Sequence, residues 1–232
     1  MKFLLINEHL ETQIAKIKQR IKLSMNGVTA DSMRQHGLIY KKNYGVAIPH
    51  LREIAAELPK NHDLAQRLWL LKIRETMVLA TMIQPAATLT MEQALAWLND
   101  CNNTELIEQI NLNLFRHLEY APELALHCIS SATNSHKISG YILALRIAEK
   151  IPTNLQHQIV LKAIEDANID DIPLANSIGS CLARFCRKDA STAREIFKLI
   201  QHFNNDNLNG KKLIYESVKH ELIFLGLLDE KF

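Results

Sequence analysis

The sequence contains few helix-breaking residues and lacks the spacing of a metal site. Only seven glycines and six prolines occur among 232 residues. Valine and threonine are sparse beside leucine, isoleucine and alanine, and this composition favours helix over sheet. The four cysteines include no CxxC pair, and the ten histidines are spread singly. We therefore expect buried, reduced thiols and neither a metal nor another cofactor.

Long apolar runs are also lacking. Residues 1–6 form a run that is too short for the core of a signal peptide, and no stretch approaches the length of a membrane-spanning helix. The net charge of +2 is too small to indicate nucleic-acid binding by itself. We expect a cytoplasmic protein with no membrane partner, whose function depends on where its charges are placed.

Helical periodicity and regularly spaced breakers are present throughout the chain. The N-terminal part, residues 1–58, is predicted to form helices over 9–26, 29–36 and 48–58. Helix pairs follow at a period mostly in the thirties, which is typical of HEAT-like repeats. The predicted pairs are 62–73 with 74–84, 91–100 with 104–118, 122–131 with 136–151, 154–166 with 173–188, and 191–203 with 210–226. The predicted fold is all-α, a single domain over residues 1–232 built as a curved α-solenoid of HEAT-like antiparallel helix pairs.

The helix predicted over 104–118 carries two carboxylates three residues apart. Asn102 with Glu105 fits a capping box, in which each side chain binds the other residue's backbone N–H. Glu108 lies beside Leu112 on the opposite side from the apolar face, where a carboxylate next to uncovered apolar groups could hold a cationic ligand. The alternative is a solvated helix residue. The apolar face is predicted to consist of Ile107, Ile110, Leu114 and Leu118.

Two segments resemble the AlkD-like DNA alkylation repair family. Residues 44–52, YGVAIPHLR, are similar to its F-x-G-[IV]-x-x-P-x-x-R opening, and residues 68–75, LWLLKIRE, are similar to its L-W-x-x-x-x-R-E signature. The resemblance covers residues 38–118 well and 119–190 weakly. It implies a curved array of HEAT-like helix pairs that grips the DNA backbone in a concave groove. It also implies a DNA glycosylase that excises cationic alkylated bases.

The residues that contact the lesion in that family are mostly replaced here. The family uses a carboxylate to stabilise the oxocarbenium-like sugar and tryptophan faces to attract the cationic nucleotide. By the resemblance, the catalytic Asp falls on Glu108, its neighbouring Trp on Thr104 and a second Trp on Ser180. A DNA-contacting Arg falls near Gly140. The resemblance therefore implies a DNA-binding relative with weak or absent excision.

Two places carry residues that could contact DNA phosphates. One is the irregular segment 37–47, and the other is the helix over 173–188, where hydroxyl and cationic residues share a sector. A surface loop and a solvated helix end are the alternatives. Two residues near Gly140 could substitute for the missing Arg. The predicted DNA-binding residues are Lys41, Lys42, Lys137, Tyr141, Ser177, Ser180, Arg184, Arg187, Lys188 and Lys212.

The leading functional hypothesis is binding of damaged or branched double-stranded DNA with weak or absent base excision. One alternative is an active alkylpurine DNA glycosylase that uses Glu108. The other is a scaffold that binds protein partners, as many HEAT-like solenoids do. A neutral or acidic surface around Arg184, Arg187 and Lys212 would favour the scaffold.

Overall fold

The structure, a computed structural model, describes residues 7–228. The apolar run at residues 1–6 lies outside the described residues. The chain divides after Leu118 into two compact units. The regular elements of residues 7–228 are helices, apart from a bridge between Lys42 and Ile73. The all-α prediction is confirmed.

The first unit contains seven α-helices within residues 7–118. These are α1 (Glu8–Leu23), α2 (Gly27–Gln35), α3 (Ile48–Ala56), α4 (His62–Leu70), α5 (Arg74–Ile83), α6 (Met91–Asn99) and α7 (Thr104–Asn113). Helices α3, α5 and α7 lie side by side, and α4 pairs with α5. The N–H of Asn61 donates to the carbonyl of Ile83 at 3.1 Å, so the start of α4 lies beside the end of α5 and the pair is antiparallel.

The second unit repeats this arrangement within residues 119–228. Its helices are α8 (Ala121–Ile129), α9 (Asn134–Arg146), α10 (Thr153–Asp166), α11 (Ile172–Cys186), α12 (Ala190–Ile200) and α13 (Asn209–Phe224). Helices α9, α11 and α13 form one layer, and α8, α10 and α12 form the other. All ten helices of the predicted pairs are present. Helices α7, α9 and α12 end earlier than predicted. The residues that follow them continue the apolar pattern but form 3-10 turns, at Phe115–His117, Ala148–Lys150 and Gln201–Asn205.

Contacts between neighbouring pairs join residues about one repeat apart. The indole N–H of Trp69 donates to Asp100 at 2.7 Å across 31 residues. The amide of Asn134 donates to Asp171 at 2.8 Å across 37 residues. The ring of Trp69 also stacks on that of Trp97 at 4.2 Å with an interplanar angle of 5°. Both tryptophans therefore hold α4 and α6 together.

Gly45 fixes the irregular segment 37–47 against α2. Its φ is +69°, and a Cβ built on it would lie 2.1 Å from the carbonyl oxygen of Asn26 and 2.8 Å from the amide nitrogen of Ala30. Asn26 in turn donates its backbone N–H to the carbonyl of Tyr44 at 2.8 Å. The glycine of the family-like opening motif is therefore required by close backbone packing.

The cysteine thiols of the core are buried and unreactive. All four cysteines are free and buried, as predicted, and burial raises the pKa of the Cys128 thiol to about 12. Residues 7–228 hold no cluster of three or more metal-ligating His, Cys, Asp or Glu side chains. In the same residues, no helix is long and apolar enough to cross a membrane.

Candidate nucleic-acid interface

Arg74, the first residue of α5, lies at the centre of a buried ion network that reaches Glu105 at the start of α7. Its Nη2 donates to Glu105 Oε1 at 2.6 Å and its Nε to Oε2 at 2.9 Å. Its Nη1 donates to Glu75 at 3.0 Å, and Glu75 also accepts the backbone N–H groups of Tyr44 and Val46. The R-E dipeptide of the family-like signature thus ties α5, α7 and the segment 37–47 together.

The predicted capping box at Asn102 and Glu105 is wrong. The N-cap of α7 is Asn103, whose side chain accepts the N–H of Leu106 at 3.0 Å. Glu105 instead accepts from Arg74 and from the hydroxyl of Tyr40 at 2.6 Å. Burial pushes the pKa of Glu105 upward, but the hydrogen bonds from Arg74 and Tyr40 outweigh burial and leave that pKa below its usual range. Glu105 is therefore an ionised structural residue.

Glu108 is half-buried on α7, one turn before the half-buried Leu112. All four residues of the predicted apolar face are buried, but only Ile107 and Ile110 belong to α7, because Leu114 and Leu118 follow its end. Thr104, at the position of a family tryptophan, is exposed. The chain's two tryptophans, Trp69 and Trp97, are 1% and 3% exposed and stack on each other. Neither indole is available to a ligand.

The structure removes Lys137 and Tyr141 from the predicted interface. Tyr141 is 0% exposed, and its hydroxyl donates to Asp166 at 2.8 Å. Lys137 forms an ion pair with the same buried carboxylate. A Cβ on Gly140 would lie 2.8 Å from the carbonyl oxygen of Ala125. This part of α9 is therefore occupied by packing against α8, which the weak resemblance beyond residue 119 did not reveal.

Helices α11 and α13, which are in contact, carry four of the predicted residues. A Cβ on Gly179 would lie 3.4 Å from the Cα of Ile214, so the parallel helices are in register at an offset of about 35 residues. Gly210, Ile214 and Ser217 are the residues of α13 that face α11, so the exposed Lys212 lies on the neighbouring helix of the same layer without contacting the hydroxyls of α11. The α11–α13 face is defined as Ser177, Ser180, Arg184 and Lys212.

Carboxylates offset some of the positive charge on and near this face. Arg184 Nη2 donates to Glu149 at 3.3 Å. Arg187 donates to both carboxylate oxygens of Glu221, at 2.7 and 2.9 Å. Lys188 instead donates to the side-chain carbonyl of Gln156 at 2.9 Å. The two lysines, Lys188 and Lys212, have no carboxylate partner among residues 7–228.

Lys41 and Lys42 are exposed in the segment 37–47 of the first unit. The ammonium of Lys42 lies 5.0 Å from the ring centroid of Tyr44. The backbone carbonyl of Lys42 accepts the N–H of Arg74 at 2.9 Å, so the position of this lysine is fixed by the buried network. Both ammonium groups are accessible to an anionic partner.

Sequence reasoning missed a cationic cleft in the first unit, here called the α3–α7 cleft. Its volume is about 510 Å³, and it is lined by α3 and the following turn, the end of α5, and the end of α7. The residues Arg52, Met82 and Asn113 line it and lie about 30 residues apart in sequence. That spacing of one repeat was a usable signal, because equivalent positions of stacked repeats are neighbours.

Comparison with known proteins agrees with this architecture. A family model described as DNA alkylation repair enzyme matches residues 17–194. A solved structure from a family related to the HEAT-like repeat DNA glycosylases, with affinity for branched DNA structures, matches with a TM-score of 0.77 and 14% sequence identity. The match covers 92% of this chain and 95% of that chain, and it confirms the HEAT-like repeat fold. No curated protein matches. Since the family model spans well over half of its residues, the chain belongs to the DNA alkylation repair enzyme family.

Proposed function

We propose that this protein is a cytoplasmic DNA-binding protein that prefers branched or damaged double-stranded DNA and excises alkylated bases weakly or not at all. Membership of the DNA alkylation repair enzyme family supports DNA as the partner. The relative in fold that has affinity for branched DNA supports the preference. The observation that carries the proposal is the α11–α13 face, where Ser180 and Lys212 are exposed on two helices in contact and Arg184 follows Ser180 by one turn.

The chemistry of the α11–α13 face suits a phosphate backbone. Hydroxyl and cationic donors hold phosphates without reading the base sequence. Arg184 is paired with an exposed carboxylate, that of Glu149, and exposed ion pairs contribute little to stability. A phosphate can therefore replace Glu149 as the partner of Arg184 at small cost. Arg187 and Lys188 provide further hydrogen-bond donors just past the last turn of α11. In the first unit, Lys41 and Lys42 are further candidates for contacts with phosphates.

The burial of both tryptophans supports weak or absent excision. Excision of a cationic base gains from aromatic faces placed over the positive charge. Trp69 and Trp97 are committed to each other inside the first unit. Glu108 is also one methylene longer than an aspartate, and a misplacement on that scale can cost on the order of 10²-fold in rate.

The first prediction concerns the salt dependence of DNA binding. We expect log K for a branched duplex to fall linearly with log salt, because each phosphate contact releases counterions, with a slope of about −0.9 per contact. The double substitution Lys188→Gln and Lys212→Gln should weaken binding and make the slope shallower by about 2. Fluorescence anisotropy across a salt series measures both quantities.

The matched control for this experiment lies on another helix of the same unit. Arg194 and Lys198 are exposed on α12, and replacing both with Gln removes the same charge from the layer that does not contain α11 and α13. We expect this variant to keep the wild-type slope. A flat salt response of the wild type, or equal losses in both variants, would refute the α11–α13 face and favour the protein-binding scaffold.

The second prediction concerns catalysis. We expect the wild-type protein to release N3- and N7-methylpurines from alkylated duplex DNA no faster than the Glu108→Gln variant does. Quantifying free base by chromatography after prolonged incubation provides the measurement. Release by the wild type that disappears in Glu108→Gln would instead establish a glycosylase that uses Glu108, in contradiction to the proposal.

A further inference from the structure

We propose that the α3–α7 cleft binds a nucleotide through its phosphate, with the base or sugar resting on the apolar floor of the cleft. This site lies wholly within the first unit, among residues 52–117. It shares no residue with the α11–α13 face. The inference therefore goes beyond the duplex binding proposed above and can hold or fail independently of it.

The cleft concentrates positive charge without neighbouring carboxylates. Three cationic side chains line it, those of Arg52, Lys60 and Arg116, whereas none of its described lining residues is Asp or Glu. The guanidinium of Arg52 is exposed and has no partner among residues 7–228. Arg116 donates through Nε to His117 Nε2 at 3.1 Å, which leaves its two terminal nitrogens for a ligand.

The acidic residues nearest in sequence to Arg52 are bound elsewhere. Glu53 accepts from His50 Nδ1 at 2.8 Å. Glu57 accepts two hydrogen bonds from Arg20, at 2.7 and 2.9 Å. Neither carboxylate lines the cleft. The positive charge of the cleft is therefore not offset by Glu53 of α3 or by Glu57, which follows the end of that helix.

Guanidinium groups and a lysine together favour phosphate over a simple carboxylate. Arginine presents a planar fork of donors that matches two phosphate oxygens at once. Lys60 spends one donor on the carbonyl oxygen of Met82 at the end of α5, and its ammonium has further protons to donate. A phosphate monoester, with a charge between −1.5 and −2 near neutral pH, can engage several such cations together.

The remainder of the cleft is apolar and of suitable size for a nucleotide. Ala55, Leu58, Met82 and Leu112 provide the uncharged lining, and a methionine can adapt to a planar ring. A volume of about 510 Å³ falls within the range of small-ligand pockets. The amide nitrogen of Asn113 is already used by Thr81 and Gln109, so beyond its cations the cleft offers few donors to the hydroxyl groups of a sugar.

The nucleotide could be the 5′ end of a DNA strand or a free mononucleotide, and the test separates them. Anisotropy should be measured with a 3′-labelled thymidine trinucleotide that carries either a 5′-phosphate or a 5′-hydroxyl. Calorimetry should be measured in parallel with thymidine 5′-monophosphate, thymidine and inorganic phosphate. We expect the phosphate to raise affinity by about tenfold or more on the trinucleotide, the mononucleotide or both.

The decisive variant is the double substitution Arg52→Gln and Arg116→Gln, which should abolish the gain from the phosphate. Its control is Lys16→Gln with Lys22→Gln, because both lysines are exposed on α1 and neither lines the cleft. This control removes equal charge from the same unit and should keep the gain. Circular dichroism melting of both variants verifies that each is folded. The single Arg52→Gln variant, at an exposed position, should reduce the gain if the double variant does not fold.

Each outcome bears on the inference. A gain for the trinucleotide alone supports a strand end as the ligand, and a gain for the mononucleotide alone supports a free nucleotide. Equal affinities with phosphate and hydroxyl, or equal loss in the cleft and control variants, would overturn the site. Inorganic phosphate that binds as tightly as thymidine 5′-monophosphate would overturn a nucleotide as the ligand. Failure of duplex binding in the salt series leaves these comparisons intact.

Discussion

Replacing Arg74 with methionine is expected to destabilise the first unit by about 3–5 kcal/mol, because the buried Glu75 and the half-buried Glu105 would lose their cation. Methionine retains much of the arginine's volume, so the loss reports charge rather than a cavity. Arg74 is buried, and it donates to both Glu105 and Glu75. Denaturant titration of the wild type and the variant measures the difference in unfolding free energy.

The matched control is Arg20→Met. Arg20 also binds a carboxylate with two hydrogen bonds, but its partner Glu57 is exposed, and water replaces the lost contact. We expect this control to lose only a small fraction of the unfolding free energy that the Arg74 variant loses. Equal effects at the two positions would show that burial of the Arg74 network contributes nothing.

The cost of removing Arg74 should also depend on pH. The pKa of Glu105 is lowered in the folded wild type, so its contribution to stability is fully present above the ordinary value of about 4.5 and is lost as the pH falls through the folded value. Without Arg74, only the hydrogen bond from Tyr40 opposes burial, so the pKa of Glu105 is higher in the variant than in the wild type and acid destabilises the variant less. The difference in unfolding free energy between wild type and variant should narrow below pH 4.5.

Gly45→Ala is expected to cost about 2–5 kcal/mol, the sum of left-handed backbone strain and a forced displacement of α2. The new Cβ would lie 2.1 Å from the carbonyl oxygen of Asn26, and both of its nearest contacts are backbone atoms. Backbone cannot move aside as the end of a side chain can. Thermal and denaturant unfolding measure the loss.

Gly37→Ala separates the two contributions. Gly37 also has a positive φ, of +80°, but a Cβ there meets no atom within 4 Å. Its substitution should therefore lower the unfolding free energy only by the strain of the left-handed backbone, about 1–2 kcal/mol. If Gly37→Ala and Gly45→Ala were equally destabilising, the close approach to α2 would have no energetic consequence.

Helix positions were predictable because local signals determine them. Gly37 follows the end of α2 with a positive φ, and Pro49 stands in the first turn of α3, as the sequence indicates. The cap of α7 was not predictable, because Asn102 and Asn103 have the same capping chemistry. The choice is made by tertiary contacts, since the Tyr40 hydroxyl, which donates to Glu105, also lies 3.0 Å from the Asn103 side-chain oxygen across 63 residues.

The candidate site was less predictable than the fold, because charge depends on partners in the next repeat. Arg187 and Glu221 are 34 residues apart, and Arg184 and Glu149 are 35 apart. A search for opposite charges one repeat apart would have found both pairs. Helical projection finds only which residues share a face, so it could not show that these arginines already bind carboxylates.

The stacked indoles determine what optical measurements report on this chain. Its two tryptophans, Trp69 and Trp97, form one parallel pair in the first unit, and residues 119–232 contain none. Tryptophan emission therefore follows the separation of α4 from α6, whereas far-ultraviolet dichroism follows helices of both units. Coincident transitions by the two signals would mean that the units unfold cooperatively. Separate transitions would assign the emission change to the unit that contains Arg74, Gly45 and the α3–α7 cleft.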